Sequence, residues 1–345
     1  MLSYKKDFNP KTTQIFKNAS TSKTAPQADN YAADRRDGRV YVYNEDIVLA
    51  VNVALTVKRP LLIRGASGSG KSTLAQNIAR FFKWRYYEVV ISSGTQARDL
   101  LWQFDTLRRL SDAQAKGEGG GVKDDEHYIQ PGVLWWAFDP ESAKRRGVSD
   151  KKLKEILATV PDDEFYAVDP NKGDQHARAV VLLDEIDKAD PDTPNNLLVP
   201  LGSLEFIVSD ANAKITAKMP PLVIITSNDE RELPTAFLRR CIMLNLEPPD
   251  RNRLVAIAQA HFGKENNKLY EEVANLMIPK RDGDSTQPTP ATNTTETKPQ
   301  QSAAEYLDTV QACLELDVKP DASDKTWQAL SKATLWKPRE SSGAV

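Results

Sequence analysis

Cysteine and histidine are scarce in this chain. Among its 345 residues there are two of the first, Cys241 and Cys313, and three of the second, His127, His176 and His261. Two thiols cannot build a disulfide scaffold, and they point to a reducing, cytoplasmic setting. Three histidines so widely scattered lack the local spacing of a metal site. An excess of one charge sign is missing too: 46 Lys and Arg against 48 Asp and Glu leave a net charge of −2. That balance is not the footprint of a protein that coats nucleic acid. No apolar run approaches the ~18 residues of a membrane span; the longest, Val48 to Val57, is broken by Asn52. The opening Met1-Leu2-Ser3-Tyr4-Lys5-Lys6-Asp7 has no apolar core of a signal peptide. These absences leave a soluble α/β or α protein, long enough at roughly 150 residues per domain for two domains.

Residues 1–38 are polar, with seven Lys and Arg against four Asp. The composition predicts a flexible arm outside the folded part. From Arg39 the pattern changes. Val40 to Leu55 carries apolar residues at helical spacing, and Leu61-Leu62-Ile63 is a short run of the kind found in strands buried on both faces. Leu74, Ala75, Ile78, Ala79 and Phe82 then share one helical face. Tyr86 to Ile91, Val180 to Leu183 and Leu222 to Ile225 read as further strands. Buried strands separated by helical crossovers predict a parallel sheet flanked by helices.

Between Ile91 and Val180 most of the chain reads as surface insertion, with a helix over Leu153 to Val160 and one apolar knot, Val133 to Phe138. Its adjacent Trp135 and Trp136 read as packing anchors. After Pro248-Pro249 the pattern is helical. Asp250 is a candidate N-cap, Lys268 to Met277 a second helix, Ser302-Ala303-Ala304-Glu305 a capping box, and Ser323 to Leu335 the last helix. His261 falls on an inner helix face and reads as packed. Residues 281–301, rich in Thr, Pro, Gln and Asn, read as a low-complexity loop. The domain reading is therefore an α/β unit over 39–247 and a small helical unit over 248–340.

The decisive segment is Gly65-Ala66-Ser67-Gly68-Ser69-Gly70-Lys71-Ser72, followed by Thr73. It matches the phosphate-binding loop pattern and lies between a predicted strand and a predicted helix. Its glycines let backbone N–H groups turn inward around phosphate, and the following helix start adds positive potential. Lys71 is placed to reach the β- and γ-phosphates of ATP, and the Ser72 hydroxyl to ligate Mg²⁺. The apolar run Val180 to Leu183 delivers Asp184 and Glu185 at a strand end: Asp184 for Mg²⁺, Glu185 as base toward the attacking water. A further strand ends in Asn228, whose amide can orient that water. Leu233 to Leu238 leads into Arg239 and Arg240, guanidinium groups suited to a neighbour's γ-phosphate.

In this order, a Walker A loop, a Walker B strand, an Asn at the next strand end and a terminal Arg-Arg pair resemble an AAA+ ATPase. Finer details are similar to the MoxR branch: Asn44-Glu45-Asp46-Ile47-Val48 with Arg59-Pro60-Leu61-Leu62, Pro131-Gly132-Val133-Leu134, Asp184 to Ala189 with Asn195 to Leu198, and a Phe206 to Thr216 segment matching that branch's β-hairpin. The resemblance implies a P-loop AAA+ core with a helical lid. It also implies Arg240 as the arginine finger, with Arg239 second, and Lys298, followed by Pro299, as the lid's cation toward ATP. The spacing from Lys71 to Asp184 exceeds the family's habit and implies an extra insertion around 100–178.

By the same resemblance the chain would act as a ring, a hexamer, remodelling or activating a protein client alongside a von Willebrand factor A domain protein, with no membrane involved. Two alternatives stand beside that expectation. One is a motor on nucleic acid, restriction- or helicase-like, against which the acids Glu205 and Asp210 around the hairpin argue. The other is an ATP-gated scaffold in a defence or stress system.

Overall fold

The computed structural model describes residues 4–15, 38–114, 121–158, 161, 165–171, 178–278, 302–321 and 323–335. At its centre five strands run parallel in the order β11 (Ile242–Asn245), β3 (Leu61–Arg64), β10 (Leu222–Ser227), β7 (Ala179–Asp184), β4 (Arg85–Val90). β7 and β10 are buried at every residue, as central strands covered on both faces must be. β11 is half exposed, with alternate residues open. It is a short edge strand, and its three apolar residues, Ile242 to Leu244, were not set apart in the sequence.

The pleat sends alternate side chains to opposite faces. Leu61, Ile63, Val180, Leu182, Leu222 and Ile224 face helices α1 (Glu45–Val57) and α2 (Lys71–Phe82). Leu62, Val181, Leu183, Val223 and Ile225 face the other way, toward α3 (Val133–Phe138) and two small hairpins. The hairpins pair β5 (Trp102–Phe104) with β6 (Ile129–Pro131), and β8 (Glu205–Val208) with β9 (Ala213–Thr216). Trp135 and Trp136 are buried as anchors in this second face.

The expectation that most of the chain between Ile91 and Val180 is surface, apart from the knot at Val133 to Phe138, therefore needs correction. Leu100, Leu101, Trp102, Ile129 and α3 all belong to the main core, and the Trp102 indole donates to Asp210 at 2.9 Å to tie one hairpin to the other. Three-residue strands are too short to show periodicity, so their burial was invisible in the sequence, whereas the apolar knot of α3 is buried as its residues predict. Only the stretch around the Asp150–Leu157 helix builds a separate small cluster, with Val148, Ile156 and Phe165.

The arm expected over 1–38 is also corrected at its beginning. β1 (Thr13–Ile15) pairs antiparallel with β2 (Val40–Val42), and Phe8 is fully buried. Its ring meets Tyr43, Phe81 and Phe82 at centroid distances of 5.4, 4.8 and 5.6 Å. Asn52, the polar break in the apolar run of α1, holds this segment. Its Oδ1 accepts from Asp7 N and Phe8 N at 2.9 Å each, and its Nδ2 donates to Phe8 O at 2.7 Å. One buried aromatic and one buried amide are too few to alter a polar segment's composition. Phe8→Ala should lower unfolding free energy by about 3–5 kcal/mol, the cost typical of a fully buried phenylalanine, measured by urea denaturation. A change below ~1 kcal/mol would show that the segment docks without stabilising the core.

Beyond the sheet, α4 (Arg251–Phe262), α5 (Asn267–Met277), α6 (Ala303–Glu315) and α7 (Lys325–Thr334) enclose their own apolar cluster around Tyr270, Tyr306, Val310 and Trp327. Asp250 caps α4, and the Ser302–Glu305 capping box opens α6, as the sequence predicts. Both cysteines are buried: Cys313 lies in this helical cluster and Cys241 under the sheet. Burial pushes their thiols up, to about 11 and about 12, so both stay protonated at neutral pH. No helix among the described residues is long and apolar enough to cross a membrane.

Candidate functional site

The carboxyl ends of β3, β7 and β10, adjacent in the sheet, bring the predicted chemistry together, as is usual for ligand sites of open α/β sheets. The loop Gly65–Gly70 leaves β3 and feeds α2 directly. Gly68 and Gly70 have φ of +72° and +90°, a region that side chains disfavour. A Cβ at Gly68 would also come within 2.6 Å of Ser302 Oγ, so this glycine lets the loop lie against the start of α6.

Lys71, the first residue of α2, is buried. Its ammonium donates to Gly65 O and Ala66 O at 2.8 Å each and to Asn228 Oδ1 at 2.7 Å. Burial pushes it below its ordinary value, and the carboxylates of Asp184, Asp187, Glu185 and Asp229 oppose that shift. Ser72 Oγ donates to Asp184 at 2.9 and 3.0 Å. Asp184 is 3 % exposed and also accepts from Thr226 Oγ1 at 2.5 Å. A hydroxyl and a fixed carboxylate side by side are the hard oxygen donors that magnesium takes, so the residues fit the ion.

Glu185 adopts a left-handed backbone, φ 63° and ψ 48°, uncommon for a non-glycine residue and the kind of strain that collects at functional sites. Its N–H donates to Thr226 Oγ1 at 2.9 Å. Lys188 Nζ donates to Oε2 at 2.9 Å, and Asn228 Nδ2 lies 3.3 Å from Oε1. Asp187, 3 % exposed, accepts from the backbone N–H groups of Asn228 and Glu230 at 3.1 and 3.0 Å.

Two functional residues were thus missed in the sequence. Thr226 aligns Asp184 with Glu185, and Asp187 fixes the Asn228 loop. The available signals were a hydroxyl two residues before Asn228 and a third acid two residues after Glu185.

These groups open into one cavity of about 610 Å³ that also reaches Tyr41, Arg253, His261 and the start of α6. His261, expected as a packed residue, is only partly buried and borders this cavity. Its helix turns Arg253, Ile257 and His261 toward the cavity, while Leu254 and Ala258 are buried in the helical cluster. Arg239 and Arg240 are exposed and lie elsewhere. They precede β11, whose Ile242 N donates to Pro60 O at 2.8 Å at the start of β3, so they stand at the amino end of the sheet. Arg240 borders a separate cavity with Lys58, Arg59 and Phe237. Lys298 lies outside the described residues.

A family model for the AAA domain of the dynein-related subfamily matches residues 60–241, just over half of the chain. The chain belongs to this family. Its sheet, phosphate-binding loop and flanking helices are those of an AAA+ P-loop fold, and an AAA+ domain implies a nucleotide-hydrolysing ATPase, a class that typically assembles into rings.

Among solved structures the AAA domain is similar to a protein from Cytophaga hutchinsonii described as a candidate ATPase: 11% identity, TM-score 0.37, 67% of this chain and 56% of that one. The chain therefore spans little more than half the length of that protein. It is also similar to a single-site mutant of RuvB from Thermotoga maritima, with 11% identity, TM-score 0.44, and coverage of 84% of this chain and 68% of that one. Curated proteins yield no match.

Proposed function

We propose that this AAA protein is a MoxR-type, Mg²⁺-dependent ATPase that works at subunit interfaces of a ring, a hexamer, to remodel or activate a protein client. The reading rests above all on the joining of Lys71, Ser72, Asp184, Glu185 and Asn228 at three adjacent strand ends. Residues 65–73 would cradle the ATP phosphates, with Lys71 reaching the β- and γ-phosphates. Ser72 and Asp184 would hold magnesium, which when bound neutralises charge on the transferring phosphate.

Glu185 takes a proton from water as the water oxygen bonds to the γ-phosphorus and the bond to the ADP oxygen breaks. Asn228 orients that water. Arg240, with Arg239 beside it, acts on the neighbouring subunit's ATP, and Lys298 is the lid's cation. Residues 39–247 then serve as the nucleotide core and 248–340 as the lid, in a cytoplasmic protein paired with a von Willebrand factor A domain partner.

A protein client fits the β8–β9 hairpin better than nucleic acid does. The hairpin exposes Ile207, 63 % open, and its Lys214 is paired with Glu205 at 2.9 Å. No free cation on these strands offers itself to a phosphate backbone.

Lys71→Ala should weaken ATP binding in Mg²⁺ about 100-fold, as befits loss of charge-assisted contacts worth up to about 3 kcal/mol. Fluorescent-nucleotide titration measures it. Affinity equal to wild type would remove the site from consideration.

A further inference from the structure

We infer that Tyr41 and Arg253 form a second phosphate contact for the nucleotide, independent of the Walker A loop and spanning core and lid. The inference rests on the nucleotide-site reading above and adds residues to it that no motif marks.

Tyr41 sits on β2 and is 7 % exposed, yet its hydroxyl, sealed from the surface, has no hydrogen-bond partner among the described residues. A buried polar group without a partner is costly, and native proteins rarely keep one without a use. The ring lies beside the phosphate loop: a Cβ at Gly70 would stand 3.6 Å from Cε2 and 3.8 Å from the hydroxyl. This position is fixed from behind. Tyr43 OH donates to Asn77 Oδ1 at 2.7 Å, and Asn77 Nδ2 donates to Gly38 O at 2.8 Å, so both ends of the β2 segment are fastened to α2.

Arg253 approaches from α4. One terminal N–H reaches Val42 O at 3.4 Å, while Nε is sealed and has no partner among the described residues. Glu247 and Asp308 border the same cavity, and neither forms an ion pair with Arg253 among the described residues. Burial raises the Tyr41 hydroxyl to about 12 while the charge of Arg253 works against that rise. The hydroxyl therefore keeps its proton as a donor, and the guanidinium is near enough to act on it. The Tyr41 hydroxyl and the Arg253 Nε, both without a partner among the described residues and both on side chains bordering the cavity beside Gly70, call for one kind of acceptor, an anionic phosphate oxygen.

The test is equilibrium binding of ATP, ADP and inorganic tripolyphosphate to wild type, Tyr41→Phe, Arg253→Gln and Lys71→Ala, with each variant's folding checked by its urea midpoint. Tyr41→Phe keeps the ring and should weaken all three ligands about fivefold; Arg253→Gln should weaken them about 20-fold, as for hydrogen bonds to charged groups. Equal losses for ATP and tripolyphosphate support a phosphate contact. Loss for ATP with tripolyphosphate unchanged would put the two residues on the nucleoside and overturn the inference. So would wild-type affinity in both variants while Lys71→Ala loses binding, an outcome that leaves the nucleotide site itself standing. Wild-type affinity in Lys71→Ala overturns the site, and this contact with it.

Discussion

Glu185→Gln should bind ATP within a few-fold of wild type and hydrolyse it about 10²–10⁴-fold more slowly, the usual contribution of a positioned general base. The structure separates the two effects. In the proposed mechanism phosphate affinity rests chiefly on the Gly65–Thr73 loop, whereas the Glu185 carboxylate contacts Lys188 and Asn228. Glutamine is isosteric, and the left-handed backbone at this position is held through its own N–H on Thr226, which the substitution does not touch. What disappears is an oxygen able to take a proton from water, since an amide nitrogen cannot. Single-turnover phosphate release measured beside nucleotide titration gives both numbers. Hydrolysis within tenfold of wild type would mean that another group is the base.

Arg240→Ala should leave ATP affinity unchanged and lower turnover by about 10³–10⁵-fold, the range for an arginine finger. The reason is topological. Walker A, Asp184 and Asn228 follow the carboxyl ends of parallel strands, and Arg240 precedes the amino end of one. β3 alone, four residues long, spans about 13 Å between those two edges. Arg240 therefore stands on the far edge from its own chain's phosphate loop, which under the proposed ring leaves only another copy's ATP for it to meet. Mixing Arg240→Ala with Glu185→Gln subunits, each inactive alone, should recover part of the activity at interfaces that join an intact Glu185 to an intact Arg240. No recovery in a mixture shown to co-assemble would remove the trans role. Arg239→Ala is expected to fall short of the Arg240 effect.

The sequence exposed the site more readily than its supports. Gly65 to Ser72 is recognisable because phosphate chemistry fixes both residue types and spacing. Asp184, Glu185 and Asn228 followed because each ends an apolar run that only a buried strand explains. Thr226 and Asp187 were overlooked, since a threonine in a strand and an acid after a strand are ordinary until their partners across the sheet are known. Phe8 and Asn52 escaped for the same reason: their contact joins residues 44 apart, and each alone looks like noise.

The phosphate loop, with the two apolar runs that end in Asp184 and Asn228, set the fold of this chain. These features are local, written in consecutive residues or in a regular period. Tertiary structure alone decided that the opening segment docks on the core, that Leu100, Leu101, Trp102 and Ile129 belong to one face of it, that Arg240 stands away from its own phosphate loop, and that Tyr41 and Arg253 border one cavity. Each of these depends on strand order and on pairings between distant residues, which carry no periodicity for a sequence to display.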